Sequence, residues 1–254
     1  MPDRTDAPRR ILLTGAAGRI GSNFFAEAAD RYRFRLADRR TEPLAAASAR
    51  GHEVIGLDVA DLDACREACR DVETVVHLAA DPSPEADFYG SLLDNNVKGT
   101  YNIFRAAKDQ GCRRVVFASS VHAVAGYPHD VQPHADSPVR PINLYGVSKC
   151  FGEAVAACFA YAEGLSGIAI RIGAYDADWL RQNPTADSMA VYLSHRDMNQ
   201  LLIRCIDTPD IPFAIVQAVS NNRFKRLDIS RTRELLGYDP QDDAFQLFGA
   251  GLSG

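Results

Sequence analysis

Short apolar runs alternate with amphipathic stretches along most of this 254-residue chain. Such runs are typical of buried strands, and the stretches between them carry apolar side chains at helical spacing. Strands that alternate with helices form a parallel sheet with helices on both faces, so we expect an α/β protein with a doubly wound sheet. The predicted strands are 11–13, 34–37, 53–57, 74–78, 114–118 and 167–172, and the predicted helices include 19–29, 61–70, 92–108 and 144–162.

The alternation ends near Gly173, which suggests two unequal parts. Residues 1–173 are predicted to form the main domain, and residues 174–254 a small C-terminal cap that does not fold independently. Ligands of such sheets bind beyond the carboxyl ends of the strands, and we expect the cap to cover that edge. The predicted cap elements are a loop at 176–187, a helix at 191–208, a strand at 213–218 and a helix at 230–236.

The composition excludes several classes of protein. A net charge of −5 argues against nucleic acid or an anionic membrane as the main partner. The chain lacks both the roughly 18 consecutive apolar residues of a membrane span and an apolar signal-peptide core, so a cytoplasmic location is expected. Its six cysteines and six histidines show no metal-ligand spacing, and no metal is predicted.

A glycine-rich sequence, Gly15-Ala-Ala-Gly-Arg-Ile-Gly21, separates the first predicted strand from the first helix. Glycine allows a tight turn and a close backbone approach to a pyrophosphate at the helix N-terminus. Asp38 follows the second strand, where a carboxylate binds the ribose diol of NAD; Arg39 and Arg40 would accept a 2′-phosphate, so NADP stays open. Asp58 is placed to reach the adenine, unless it caps the next helix. The predicted cofactor contacts here are Gly15, Gly18, Arg19, Ile20, Gly21, Asp38, Arg39, Asp58 and Val59.

Tyr145-Gly-Val-Ser-Lys149 begins the longest predicted helix. Tyrosine and lysine four residues apart lie on one helix face, and a nearby ammonium stabilises the phenolate of a side chain whose pKa is normally about 10. Ser120 ends the fifth strand, and its hydroxyl would hold a reacting oxygen beside Tyr145. We therefore predict Ser120, Tyr145 and Lys149 as the catalytic residues; the alternative is an ordinary pair on a helix surface.

Together these motifs resemble the extended short-chain dehydrogenase/reductase superfamily over essentially the full chain. Further carriers of the resemblance are His77-Leu-Ala-Ala80, Asn96-Val-Lys-Gly-Thr100 and Arg171-Ile-Gly173. The resemblance implies a Rossmann-like fold, a Ser120, Tyr145 and Lys149 triad, and a homodimer or higher homo-oligomer formed through helices 92–108 and 144–162. It also implies that the remaining cofactor contacts are Leu78, Ala79, Ala80, Asn96, Ala118, Tyr145, Lys149 and Ile172.

Within the superfamily, the chain looks most like the uronate dehydrogenases, which oxidise the anomeric carbon of a hexuronic acid with NAD. The stretches 116–120, 144–153 and 194–197 carry this likeness, whereas Val121 stands where those enzymes have asparagine. The resemblance implies an NAD-dependent uronate dehydrogenase acting on a small sugar. The open alternatives are an aldose or sugar-phosphate 1-dehydrogenase, a nucleotide-sugar epimerase or dehydratase with retained NAD, and a non-catalytic NAD-binding protein.

The substrate contacts are predicted around the same end of the sheet. Arg181 would bind the substrate carboxylate through a bidentate contact, or it is a solvated loop arginine. The predicted substrate contacts are Ser83, Ser120, His122, Tyr145 and Arg181.

Overall fold

Parallel strands dominate the computed structural model, which describes residues 8–175, 178–182 and 184–249. Seven strands of this part of the chain form one sheet, and two short ones form a separate pair. The sheet strands are β1 (Arg10–Thr14), β2 (Arg33–Asp38), β3 (Glu53–Gly56), β4 (Thr74–His77), β5 (Arg114–Ser120), β6 (Ser166–Ile172) and β9 (Phe213–Ala218), and the pair is β7 (Ala174–Tyr175) and β8 (Tyr192–Leu193).

The sheet has the order β3-β2-β1-β4-β5-β6-β9, and every neighbouring pair is parallel. The chain builds outward from β1 to β3, returns to the other side of β1 at β4, and continues outward. This switch opens a crevice at the carboxyl ends of β1 and β4, where ligands of doubly wound sheets bind. The predicted α/β class and doubly wound, Rossmann-like sheet are therefore confirmed.

Helices cover both faces of the sheet. Apolar side chains of α1, α2, α8 and α9 form the core on one face, and those of α3, α4 and α5 form the core on the other. The helices are α1 (Arg19–Ala28), α2 (Ala45–Ala49), α3 (Leu62–Cys69), α4 (Gly99–Asp109), α5 (Leu144–Glu163), α6 (Asp178–Gln182), α7 (Ala186–Ala190), α8 (His195–Asp207), α9 (Ser230–Leu236) and α10 (Ala244–Phe248), with a π-helix at Phe88–Lys98 and 3₁₀ turns at Glu42–Leu44 and Val121–Ala123. No helix of these described ranges is long and apolar enough to cross a bilayer.

The division into a domain at 1–173 and a cap at 174–254 does not match the sheet. Strand β9 lies beyond Gly173 and pairs with β6 along its length, and α8 packs against α1. The reason is that β6 is buried on both faces, so its outer edge needs a further strand. Among the described residues beyond β6, the part with a small core of its own is therefore limited to α6, α7, β8 and α10.

Two further sequence predictions differ in detail. The region 176–187, expected as a loop, contains α6 and the start of α7, although residues 176, 177 and 183 lie outside the described residues. The helix expected at 191–208 begins as β8 and becomes helical only at His195. There, the Ser194 hydroxyl accepts a hydrogen bond from the backbone N–H of Asp197 and caps the helix.

Helix α5 packs unusually close to β5. A Cβ atom on Gly152 would lie 2.1 Å from the Phe117 ring carbon Cζ, so no larger residue fits without displacing that ring. The helix begins at an Asn143 cap, whose Oδ1 accepts from the Gly146 N–H at 2.7 Å, and ends at Gly164, whose φ of +72° suits glycine. Both ends and the contact at Gly152 fix where α5 lies on the sheet.

Gly152→Ala is predicted to destabilise the fold despite alanine's better helix propensity. Overpacking against Phe117 costs about 1–3 kcal/mol, and the helix propensity of alanine returns about 1 kcal/mol. Urea unfolding is therefore expected to show a net loss of up to about 2 kcal/mol. The matched control is Gly56→Ala, because a Cβ there meets nothing closer than 4.0 Å, and a change within about 0.5 kcal/mol is expected. Equal losses in both variants would contradict the close-packing account.

Candidate active site

A cleft of about 1150 Å³ runs along the carboxyl ends of the strands. It extends from the glycine loop and the end of β2, past the ends of β4, β5 and β6, to the first residues of α5 and the β7–β8 pair. Most of the predicted cofactor contacts line it. They are Gly15, Gly18, Arg19, Ile20, Gly21, Asp38, Arg39, Val59, Leu78, Ala79, Ala80, Ala118, Tyr145, Lys149 and Ile172.

The glycine loop is pressed against the end of β4. Gly15 has a φ of +69°, and a Cβ on it would lie 2.8 Å from the backbone nitrogen of Ala79. The loop is also tied to β2, because Asp38 Oδ2 accepts from the Ala17 N–H at 3.0 Å and Oδ1 accepts from the Arg40 N–H at 3.1 Å. The loop is thus a backbone-lined cradle with one fixed carboxylate at its rim, which suits a dinucleotide pyrophosphate and its adjoining ribose.

The predicted catalytic residues lie together at the other end of the cleft. The Tyr145 hydroxyl lies close enough to the Ser120 hydroxyl for Ser120 to influence its pKa, and Ser120 Oγ accepts from the His122 N–H at 3.2 Å. Lys149 Nζ donates to the Ala118 carbonyl at 2.9 Å and lies 5.4 Å from the centre of the Tyr145 ring. A hydroxyl pair next to one buried cation can position an alcohol and accept its proton.

Burial sets the ionisation of this group. It raises the pKa of Tyr145, while the nearby Ser120 hydroxyl acts in the opposite direction and the charge of Asp81 raises the pKa further. The pKa of Lys149 falls to about 8, because burial disfavours the ammonium. The sequence predicted that Lys149 would lower the pKa of Tyr145, and in this structure the net shift is upward. The ammonium is held at the Ala118 carbonyl, over the tyrosine ring, and does not outweigh burial.

His122 lines the cleft beside Tyr145, as predicted for a substrate contact. Its ring packs edge-on against the Tyr145 ring with centroids 5.5 Å apart. Burial lowers the pKa of His122, which favours the neutral imidazole. The Asn143 amide nitrogen lies 3.0 Å from Nδ1, so Nδ1 accepts from the amide and Nε2 carries the ring proton. The side chain can therefore donate one hydrogen bond to an oxygen.

Two predicted cofactor contacts do not line the cleft. Asp58 is exposed, and its Oδ1 accepts from the Ala60 N–H at 2.9 Å, in a local turn ahead of α3. Asn96 is buried; its Nδ2 donates to the Asp81 carbonyl and to Ser148 Oγ, both at 3.1 Å. Asn96 thus braces the π-helix against α5, because its amide is already engaged by groups behind the cleft wall.

Two predicted substrate contacts also lie outside the lining. Ser83 Oγ donates to Glu85 within its own loop, at 3.1 Å, so the hydroxyl is engaged locally. Arg181 is exposed in α6, and its guanidinium lies over the Phe248 ring, 5.8 Å from the centroid. A guanidinium stacks favourably on an aromatic face, and this contact accounts for the position of the Arg181 side chain against α10.

Several cleft residues were not predicted as site residues. Tyr175 and Val191 form the wall opposite Ser120, and Tyr175 stacks on His195 with ring centroids 4.9 Å apart. Tyr175 could have been found, because it follows the end of β6 by three residues, where the strand-end rule applies. Val191 is brought in by the pairing of β7 with β8, for which the local sequence has no signal. The other unpredicted wall residues include Pro82, Pro84 and Asn95.

A glycine cradle with a fixed carboxylate and a serine, tyrosine and lysine group define a dinucleotide-binding α/β fold with an alcohol-handling site. Residues 11–195 match the model of the NAD dependent epimerase/dehydratase family, and the chain belongs to that family.

Curated relatives cover nearly the whole chain. An NAD-dependent glucose-6-phosphate dehydrogenase of Haloferax volcanii is 39% identical, over 92% of this chain and 94% of its own. A uronate dehydrogenase of Pseudomonas putida is 34% identical, over 92% and 85%. An L-arabinose 1-dehydrogenase (NAD(P)(+)) of Haloferax volcanii is also 34% identical, over 92% and 97%.

Solved structures agree in fold. A mutant of uronate dehydrogenase from Agrobacterium tumefaciens, complexed with NAD, superposes with a TM-score of 0.83 at 31% identity. The superposition covers 94% of this chain and 88% of that one. The predicted superfamily and the likeness to uronate dehydrogenases are thereby confirmed at the level of sequence and fold.

Lys149→Met is predicted to stabilise the protein at neutral pH. The lysine pKa falls from 10.5 in the unfolded chain to about 8 in the folded one, so keeping the buried ammonium charged costs stability in full below about pH 8. That cost fades as the pH rises from 8 towards 10.5. After loss of the hydrogen bond to Ala118, a gain of about 2 kcal/mol at pH 7 remains.

The measurement is urea unfolding at pH 7 and at the alkaline end of that window. The control is Lys98→Met, because Lys98 is 56% exposed and pairs with Asp94 on the surface; a change within about 0.5 kcal/mol is expected at both pH values. A Lys149→Met protein less stable than the parent at pH 7 would show that the buried ammonium is paired better than its contacts imply.

Proposed function

We propose that this protein is an NAD-dependent sugar dehydrogenase that oxidises the anomeric C1 hydroxyl of a hexuronic acid to a lactone. The observation that carries the proposal is the Ser120, Tyr145 and Lys149 group at one end of a cleft whose other end is a dinucleotide cradle. The uronate dehydrogenases among the relatives support the uronate as the substrate.

The residues present fit NAD as the cofactor. The Gly15 turn lies so close to the end of β4 that no Cβ fits there, its backbone lines the cleft, and the Asp38 carboxylate is fixed where it would accept from a ribose 2′-hydroxyl. When bound, NAD accepts a hydride from C1 of the sugar. NADP is the second possibility, since Arg39 and Arg40 line the same rim and one relative is named for both cofactors. The fixed carboxylate favours NAD because it would repel a 2′-phosphate.

Tyr145 would act as the base and take the proton of the C1 hydroxyl. Ser120 would hold the same oxygen, since its Oγ accepts from the His122 N–H and its hydroxyl lies next to that of Tyr145. The role of Lys149 is electrostatic, because a cation near the ring favours the phenolate over the neutral phenol. The upward shift of the Tyr145 pKa implies that turnover rises with pH across the neutral to alkaline range.

His122 would donate its Nε2 proton to a further sugar oxygen next to the reacting carbon. The uronate carboxylate needs a cation, and Arg181 is our candidate, released from Phe248 when substrate binds. Of the described residues lining the cleft, Arg19, Arg39 and Arg40 belong to the cofactor end and Lys149 to the reacting centre. A carboxylate clamp therefore has to come from the segment that carries Arg181.

The second candidate is a sugar-phosphate or aldose 1-dehydrogenase. The 39% identity to a glucose-6-phosphate dehydrogenase over nearly the whole chain favours it. The reaction and the roles of Ser120, Tyr145 and Lys149 would be the same. The two candidates differ only in what lies at the far end of the sugar.

The test is NADH formation with glucuronate, galacturonate, glucose 6-phosphate, glucose and arabinose, each with NAD and with NADP. We expect the highest kcat/KM with a uronate and NAD, and a rate that rises with pH. Tyr145→Phe is expected to lose at least about 100-fold in kcat while retaining NAD affinity. Arg181→Ala is expected to raise KM for the uronate but not for arabinose. No NADH with any sugar would refute the proposal, and preference for glucose 6-phosphate would select the second candidate.

We further propose that two copies associate through α4 and α5, as the family resemblance implies. Helix α5 exposes an apolar stripe of Leu144, Val147 and Phe151, at 53%, 47% and 36% of their surfaces. Tyr101 of α4 is 45% exposed beside it. An apolar stripe on a long surface helix is costly in water and suits a self-complementary twofold contact.

Val147→Asp is expected to convert the dimer to a monomer. A carboxylate in the centre of the contact would be buried without a partner in both copies. Light scattering after size exclusion measures the mass directly. Leu247→Asp is the control, because Leu247 of α10 is equally exposed, at 54%, but lies outside the stripe. A parent protein that elutes as a monomer would contradict the proposal.

A further inference from the structure

A buried polar cluster lies directly behind the reacting end of the cleft. Arg171 of β6 and Glu153 of α5 form a two-pronged ion pair, with Nε to Oε1 at 2.8 Å and Nη2 to Oε2 at 2.9 Å. Ser119 of β5 donates its hydroxyl to Glu153 Oε1 at 2.6 Å. The three side chains are only 1–3% exposed, so this is an ion pair removed from water with its carboxylate fully engaged.

Stability alone is a poor reason for such a cluster. Moving two charges out of water costs several kcal/mol per ion, and apolar pairs of similar volume are often as stable or more so. A buried ion pair is, however, directional, because both prongs fix the relative position of the two backbones that carry it. This pair therefore fixes the backbone of β6 relative to that of α5.

Each member of the cluster lies close in sequence to a proposed catalytic or cleft-lining residue. Ser119 precedes Ser120, Arg171 precedes Ile172, and Glu153 follows Lys149 by one helical turn, on the same face of α5. Three consecutive residues at the end of β5 are thus held. The Ala118 carbonyl accepts from Lys149, the Ser119 hydroxyl donates to Glu153, and Ser120 Oγ accepts from the His122 N–H.

The cluster also reaches the segment that leads into α5. Arg171 Nη1 donates to the Ala135 carbonyl at 3.5 Å, in the loop that ends at the Asn143 cap. The ends of β5 and β6, the body of α5 and the approach to its first turn therefore meet at one guanidinium and one carboxylate. Tyr145 lies in that first turn.

We propose that the Glu153–Arg171 pair, with Ser119, is a positioning device that sets the distance between Ser120 on β5 and Tyr145 on α5. It acts through Ser120, Tyr145 and Lys149: Glu153 and Arg171 lie outside the cleft lining, and Ser119 reaches the lining only beside Ser120. The inference rests on the proposed function, because only a reaction that needs both hydroxyls on one oxygen makes this distance important. Misplacing reacting groups by about 1 Å can cost roughly 100-fold in rate.

The test is the double substitution Glu153→Leu with Arg171→Met, which replaces the ion pair with apolar side chains of similar length. We expect urea stability close to that of the parent. We expect kcat to fall about 10- to 100-fold, with NAD affinity within about twofold of the parent. Ser119→Ala keeps the ion pair and removes only its link to β5; we expect a several-fold fall in kcat, and this variant serves if the double variant does not fold.

The matched control is Arg114→Met. Arg114, like Arg171, is a buried arginine and is 1% exposed. It lies at the amino end of β5, far from the cleft end of that strand, and donates to Ser166 Oγ and to the Cys205 carbonyl, both at 2.8 Å. It should lose stability yet keep kcat per NAD-binding site within about twofold. A double variant that also keeps kcat, or whose kcat falls only as far as that of Arg114→Met, overturns the positioning role.

A second readout is independent of the sugar. Because the adjacent Ser120 hydroxyl lowers the pKa of Tyr145, a displaced Ser120 should raise it. Tyrosinate absorbance of each protein, minus that of its Tyr145→Phe counterpart, measures this ionisation; Asp81, His122 and Lys149, which also face Tyr145, are unchanged throughout. If the parent turns over no sugar, the proposed function fails and this titration still decides the positioning role: an unshifted Tyr145 pKa in the double variant overturns it.

Discussion

The close contact between α5 and β5 is the constraint on which the rest of the site depends. Gly152 lets the helix backbone approach the Phe117 ring, and one turn earlier Lys149 reaches across to the Ala118 carbonyl. A helix held further from the sheet would leave the ammonium short of that carbonyl and Tyr145 short of Ser120. Close packing is therefore a condition for the chemistry as well as for the stability of the core.

Two buried cations near this contact, Arg171 and Lys149, have different partners. Arg171 is neutralised by Glu153 within the protein, whereas Lys149 donates to a carbonyl and keeps its charge without a carboxylate partner in the described contacts. The unpaired cation is the destabilising one, and it faces the cleft, where a phenolate and ribose hydroxyls can use it. A residue that costs folding energy and serves a reaction is the usual trade between stability and activity.

The sequence was most informative where function rests on local chemistry. The glycine loop, Asp38 and the Tyr145-to-Lys149 spacing each depend on a few neighbouring residues, and all of them line the cleft. The parallel, doubly wound sheet followed from the alternation of elements, whereas the pairing of β9 with β6 depends on which edge of the sheet stays uncovered. Where tertiary contacts decide, the local sequence has no equivalent signal: Val191 reaches the cleft only through β8, and Asn96 turned out to brace α5.

The position of Arg181 is set by tertiary contacts that the local sequence does not encode. A guanidinium at roughly the right distance along the chain is a reasonable choice for binding a carboxylate, yet its position depends on how α6 packs against α10, and there it stacks on Phe248. Under the proposed function, the reaction type rests on groups fixed by the sheet and α5, whereas substrate choice rests on the segment around α6, whose buried side chains pack with α7 and α10 in a small core of their own. We expect a change in this segment to alter KM without disturbing the distance between Ser120 and Tyr145. That distance is set by the cluster of Glu153, Arg171 and Ser119, which lies on α5, β6 and β5.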